Sequence, residues 1–202
     1  AAKTIAAHGE PDECAGLIKK NYLCDEFEEL GLDNPWCLDT KRLIDLAKQV
    51  ESVGLSRATV KQKSDGVTIN KSRGSRAYAT TDGFNQAYCA TQNSISSIMI
   101  ASDTSGKMQK GYYYSSNRDP ELLESADHIG AMAATRTEQK LGAKKISTQR
   151  LPIVFSSRVA PGLIGHLLSA LSGKSQYEKT SFLNDSLGNK ILPSFVSISE
   201  RP

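Results

Sequence analysis

Several features are scarce in this 202-residue chain, and each scarcity closes off a class of protein. There are three histidines, His8, His128 and His166, too far apart for any two to form a helical metal-binding pair at i and i+4. The four cysteines, Cys14, Cys24, Cys37 and Cys89, include no Cys-x-x-Cys pair, which excludes a zinc ribbon and a thioredoxin-like redox motif. A chain of this length does not need disulfides, so free thiols in a reducing cytoplasm are expected. No apolar run approaches the roughly 18 residues of a membrane-spanning helix. Neither sign of charge dominates: 25 basic residues face 22 acidic ones, and the net charge is +3. Nucleic acid is therefore not an expected partner, because such a surface needs basic residues gathered on one face. Gly-x-Gly-x-x-Gly, a Walker loop and a Gly-x-Ser-x-Gly elbow are all missing, so dinucleotide, nucleotide and serine-hydrolase chemistry lack their usual signatures.

What is present reads as an ordinary globular chain, 39% hydrophobic and 23% charged. Both ends read as cut: the chain opens at Ala1 on a helix-like run stopped near Gly9, and it closes at Pro202 behind the strand-like Phe195–Ile198. An internal fragment of a longer protein is the expectation. Residues 10–38 lack a clean period and are expected to form a loop with short turns. Asp39 caps a predicted helix through Val50, with Gly54 as its stop. From Arg57 the period becomes two. Short strands are predicted over Val67–Ser72 and Ser75–Thr80, then a long one over Phe84–Ala101, with Ala87, Cys89, Thr91, Ile95 and Met99 on one face. Met108–Ser115 follows after a turn. Connections this short require antiparallel pairing, in a meander of four or five strands. Asp119-Pro120-Glu121 opens a helix that ends at Leu141-Gly142. Leu151–Phe155 reads as a short buried strand, the run from about Ser157 or Ala160 to Ser172 as a helix whose start is set by Pro161, and Tyr177–Leu183 as a weaker one. The fold class is α+β, an antiparallel β-meander with flanking helices. Its segments are 1–56 (helical and loop), 57–118 (sheet) and 119–202 (helix-rich, with strand 151–155), parts of one continuous fragment.

Chemistry is sought first in the helix Pro161–Gly173. Leu163, Ile164, Leu167, Leu168 and Leu171 form an apolar stripe. Gly162, Gly165, Ser169, Ala170 and Gly173 form a thin opposite side. A glycine costs a helix up to about 1 kcal/mol relative to alanine, so two of them imply that another backbone comes close. Other candidates carry less. His128 lies on the polar side of its helix and His8 at a frayed end. Alternation turns Tyr113 away from Tyr112 and Tyr114, which leaves little room for a base-stacking platform. Lys144-Lys145 suits a helix C-terminus, and Asp185-Ser186 has no histidine beside it in sequence.

Leu151–Gly173, Tyr177–Leu183 and Asp185-Ser186-Leu187-Gly188-Asn189-Lys190-Ile191-Leu192-Pro193 resemble the TldD/TldE (PmbA) peptidases. The likeness extends back through Asn85–Ile100 and includes Asp12-Glu13-Cys14-Ala15-Gly16-Leu17. Such proteins are about twice this long, so the resemblance implies an internal portion of a larger PmbA/TldD-like fold. In the TldD half of the family this helix carries His-Glu-x-x-x-His, two zinc ligands around a water-activating glutamate. Here the first histidine is His166, but Leu167 stands for the glutamate and Leu171 for the second histidine. Leucine supplies neither a lone pair nor a proton. The resemblance therefore implies a PmbA/TldE-type subunit with no catalytic residue and no metal ligand set of its own. Zinc is expected on a TldD-type partner, in a cytoplasmic heterodimer that cleaves unfolded or flexible peptides, as in antitoxin turnover. Gly162, Gly165, Ser169 and Gly173 become candidates for an interface or a substrate-channel wall. The alternative is a regulatory binding protein that modulates DNA gyrase without peptidase activity.

Overall fold

The computed structural model describes residues 2–10, 16–24, 27–56 and 62–199. The chain divides into two compact units, Ala1–Lys145 and Ile146–Pro202. In the first, a short helix α1 (Ala2–Ala6) and a 3-10 turn (Lys20–Tyr22) precede helix α2 (Thr40–Ser56). Strands β1 (Gln62–Ala79), β2 (Asn85–Ser102) and β3 (Met108–Asn117) form an antiparallel sheet in that order, and helix α3 (Ala126–Glu138) follows. The class is α+β.

Strand β2 sets the plan. From Thr91 onward its odd-numbered residues are buried through Ala101, so one face of the sheet carries the core. Val50 of α2, Ile95 of β2, and Ala126 and Ile129 of α3 form its centre. Trp36, Leu46, Val67, Ile69, Tyr113 and Leu123 pack around them. Three glycines allow the close approach. A methyl group on Gly54 would overlap the Met99 side chain, and one on Gly130 would overlap the Val50 carbonyl of α2. At Gly111 it would lie 2.8 Å from the Thr137 backbone nitrogen and Cα. These positions bring α2 and α3 together and lay α3 on β3.

Polar side chains in the core anchor the loops. The Asn34 N–H donates to Thr91 Oγ1 at 2.8 Å, and Asn93 Nδ2 donates to the Arg118 carbonyl at 2.8 Å. Arg73 donates to both carboxylate oxygens of Asp33, at 2.8 and 2.6 Å. That hydrogen bonding holds the Asp33 carboxyl below the ordinary carboxylate range, against a smaller opposing effect of desolvation. Lys71 donates to the Leu38 carbonyl at 2.7 Å. The segment 31–38 is thereby tied to the sheet.

Several expectations are corrected. Among the described residues the sheet has three strands, because Val67–Ser72 and all but the last residue of Ser75–Thr80 are parts of one 18-residue strand. Gly74 does not take the positive φ that a turn there would use, and it pairs opposite Ala90. The irregularity lies instead at Gly66 (φ 119°), where the register with β2 shifts. Helix α2 continues past Gly54 to Ser56, because Gly54 is occupied in packing rather than stopping. Asp119 caps only a 3-10 turn, Pro120–Leu122. The cap of α3 is Ser125, whose Oγ accepts from the His128 N–H at 3.2 Å. Residues 11–15, which carry part of the family resemblance, lie outside the described residues, as do 57–61.

In the second unit, helices α4 (Ala160–Leu171) and α5 (Gly173–Tyr177) meet at Ser172. The C-terminal carbonyls of α4 find donors in the chain that follows. Ser175 Oγ donates to the Ser169 carbonyl at 2.9 Å, and Gln176 Nε2 and Ser181 Oγ donate to that of Ala170, each at 2.7 Å. The predicted helix over 177–183 is therefore replaced by a turn that wraps the end of α4. Leu151–Phe155 is neither strand nor buried; Val154 is 95% exposed. A strand needs a ladder partner, and none of the described residues in this unit offers one. Phe195–Ile198 is likewise not a strand.

Candidate functional site

Pro161 sits in the first turn of α4, where its missing N–H costs nothing. His166 lies mid-helix with its ring exposed. Leu167 is half-buried and Leu171 is exposed, one turn apart on the same side of the helix. Of the three motif positions, then, one carries a nitrogen donor and two carry alkyl groups. A catalytic zinc takes three protein ligands and keeps a position for water, so this donor set does not fit the metal. Among the described residues, no three His, Cys, Asp or Glu side chains gather closely enough to hold an ion.

Apart from the buried Ala170, the small side of residues 162–173 meets open space among the described residues. A methyl group built on Gly162, Gly165 or Gly173 would meet nothing within 4 Å, and Ser169 is exposed beside them. The close backbone implied by these glycines is not supplied by the described residues. Across the unit Ile146–Pro202, Ala170 is the one buried residue among those described, and Leu163, Ile164, Leu168 and Leu171 leave their apolar stripe exposed.

His128, expected as a solvated residue, is exposed but has neighbours. Its Nε2 is 3.7 Å from a Glu124 carboxylate oxygen, and its ring meets the edge of Tyr113 at 5.6 Å. Tyr113 donates to Glu124 Oε1 at 3.0 Å, and Arg136 lies over its ring at 4.2 Å. The acceptor carboxylate, with some burial, raises the Tyr113 pKa; Arg136 opposes it. Tyr112 and Tyr114 stack on the other face of the sheet, 6.4 Å apart. This cluster pins β3 to α3 and presents no nucleophile to a cavity.

One feature had no sequence signal. A groove of about 790 Å³ is lined by residues of 27–33 and by the far end of the β1–β2 hairpin, with Phe27, Leu30, Tyr78, Phe84 and Tyr88 among them. Residues 27–33 carry no periodicity, so their place beside the hairpin follows only from the Asp33–Arg73 and Leu32–Thr91 contacts.

Residues 33–141 match the PmbA/TldA metallopeptidase central domain, and residues 148–202 match the C-terminal domain of the same peptidases. The chain belongs to the PmbA/TldA (PmbA/TldD) metallopeptidase family. Metalloprotease PmbA of Escherichia coli O157:H7 is 36% identical over the whole chain, and the PmbA homolog of Haemophilus influenzae is 33% identical. The chain spans 45% of the length of each of these relatives. Among solved structures, a putative modulator of DNA gyrase from Bacteroides thetaiotaomicron matches with a TM-score of 0.77 at 22% identity, covering 93% of this chain and 43% of that one. A second, from Thermotoga maritima, matches at 0.68 and 19%, covering 81% and 38%. These two share the fold. Within the PmbA/TldA family, the β-meander with α2 and α3 corresponds to the central domain, and α4 begins close to the start of the C-terminal match.

Proposed function

We propose that this chain is part of a PmbA/TldE-type subunit of a two-chain cytoplasmic zinc peptidase, and that it contributes no catalytic group. The observation that carries the reading is the pair Leu167 and Leu171 at the acid–base and second-ligand positions of the family's zinc motif. A positioned acid–base residue is worth on the order of 10² to 10⁴ in rate, and a leucine provides none of it. The division of labour follows: a TldD-type partner holds the zinc and cuts unfolded or flexible peptides, while this chain forms part of the enclosure. The exposed apolar stripe of α4 and its open glycine side support a docking role, since exposed apolar area of this kind is usually covered in an assembly.

The test is reconstitution. Mixed with a TldD-type chain from the same cell, this chain should co-purify and yield chelator-sensitive peptidase activity that neither chain shows alone. His166→Ala should barely affect turnover of the pair, in contrast to the loss of about 10²-fold or more that follows removal of an acid–base group. Peptidase activity from this chain alone, or collapse of turnover in His166→Ala with assembly intact, would overturn the reading.

A further inference from the structure

The groove beside the β1–β2 hairpin has the size and the lining of a small-molecule site. Its volume of about 790 Å³ falls within the range of roughly 300–1,000 Å³ that such sites occupy. Apolar side chains dominate its walls. Phe27 and Leu30 come from the segment 27–33, and Tyr78, Phe84 and Tyr88 from the hairpin. Phe27, Leu30, Tyr78 and Tyr88 are all exposed, so among the described residues this apolar surface lies open.

Four charged residues border the groove: Glu28, Glu29, Asp33 and Arg76. Two of them are engaged locally. Asp33 accepts from two nitrogens of Arg73, and Glu29 Oε1 accepts from the Gly31 N–H at 3.0 Å. The side chains of Glu28 and Arg76 are left without a hydrogen-bond or ion-pair partner among the described residues. Register places Arg76 opposite Tyr88 and Tyr78 opposite Gln86, so the Arg76 side chain shares its face of the hairpin with both tyrosines. Either charge alone would be an ordinary hydrated surface group. Together they set an anion on the 27–33 side and a cation on the hairpin side of one apolar groove.

We propose that this groove binds a free amino acid with a large apolar side chain. The α-carboxylate meets Arg76, whose forked N–H donors match two carboxylate oxygens. The α-ammonium meets Glu28, and the side chain lies among Phe27, Leu30, Tyr78 and Tyr88. A ligand of one charge satisfies only half of this arrangement: a carboxylic acid leaves Glu28 without a partner, and an amine leaves Arg76 without one. Exposed ion pairs contribute little in water, so burial of the apolar side chain supplies most of the affinity and the two charges supply selectivity. The inference rests on the groove alone and is independent of the subunit reading above.

The test is an amide chemical-shift titration of the 202-residue chain with L-phenylalanine. Saturable shifts are expected at Tyr78, Gln86 and Tyr88, complete at about 10 mM ligand for a site of millimolar affinity. Phenylalaninamide lacks the carboxylate, N-acetylphenylalanine lacks the ammonium, and alanine lacks the ring; each should bind about fivefold more weakly or worse. Arg76→Gln should weaken phenylalanine to the level of phenylalaninamide and leave phenylalaninamide itself unchanged. Glu28→Gln should do the same with respect to N-acetylphenylalanine. Both side chains are exposed, so the variants should keep the parent's spectrum elsewhere. Absence of saturable shifts along the hairpin would overturn the proposal. So would equal binding of phenylalanine and either blocked analogue, or a loss in Arg76→Gln that is as large for the amide as for the free acid.

Discussion

Alanine substitution at two helical glycines should change stability in opposite directions. In α3, Gly130→Ala gains intrinsic helix propensity, about 0.5–1 kcal/mol. It also places a methyl group into the Val50 carbonyl and within 3.0 Å of the Gly54 nitrogen. Both obstacles are backbone atoms of α2, which cannot rotate away as a side chain can. Overpacking of this kind costs about 1–3 kcal/mol, so after the propensity gain a net loss of roughly 1–2 kcal/mol is expected. In α4, Gly165→Ala meets nothing within 4 Å. Only the propensity term remains, and a gain of about 0.5–1 kcal/mol is expected. Urea unfolding separates the cases. Trp36 is the sole tryptophan and packs against the core that Gly130 serves, so its fluorescence reports the first unit. With a slope of about 1.5 kcal/mol per molar, Gly130→Ala should lower that midpoint by about 1 M. Gly165→Ala should leave it unchanged and raise helical circular dichroism. A Gly130→Ala variant as stable as the parent would refute the packing argument. On the docking role proposed for α4, Gly165→Ala should nevertheless weaken association with a TldD-type chain.

Met99→Ala should cost about 2–5 kcal/mol in the same urea assay, because Met99 is fully buried and its loss leaves a cavity between β2 and α2. Ser97→Ala should leave stability unchanged or raise it by up to about 1 kcal/mol, since the buried Ser97 hydroxyl finds no hydrogen-bond partner among the described residues; a clear loss would mean that the hydroxyl is bonded in solution. The Asp33–Arg73 tether should be pH-dependent with a defined sign. The folded-state pKa of Asp33 is lowered, so its stabilisation is present above the ordinary carboxylate range and disappears as pH falls through the lowered value. Amide exchange at Thr91 and Asn34 should accelerate at that acid limb, and Asp33→Asn should abolish the dependence. Identical acid profiles for parent and variant would count against it.

The parts of the fold that obey local rules were legible. Alternation along β2 identified the buried face, because strand geometry alone fixes which side chains share a side. The Asp39 cap was readable for the same reason; its carboxylate accepts from the Arg42 N–H at 2.8 Å. Where long-range packing decides, the local signals failed. Gly54 and Gly74 look like punctuation, yet one fits against Met99 and the other lies opposite Ala90. The apolar Leu151–Phe155 run suggested a buried strand, but burial and pairing need partners that this unit's described residues do not provide. That Leu167 and Leu171 offer no lone pair is a property of the residues themselves and needs no fold to be seen. The groove beside the β1–β2 hairpin was not legible. It depends on where residues 27–33 are tied down, by Arg73 to Asp33 and by the Thr91 N–H to Leu32, and nothing in that segment's own sequence says so.

Zinc analysis of this chain separates a metal-free subunit from one that holds the ion itself. After purification, alone and again after separation from a reconstituted TldD-type pair, its zinc content should be far below one equivalent, with the metal following the other chain. One tightly held equivalent on this chain, lost in His166→Ala, would make it a metal-binding subunit and overturn the division of labour.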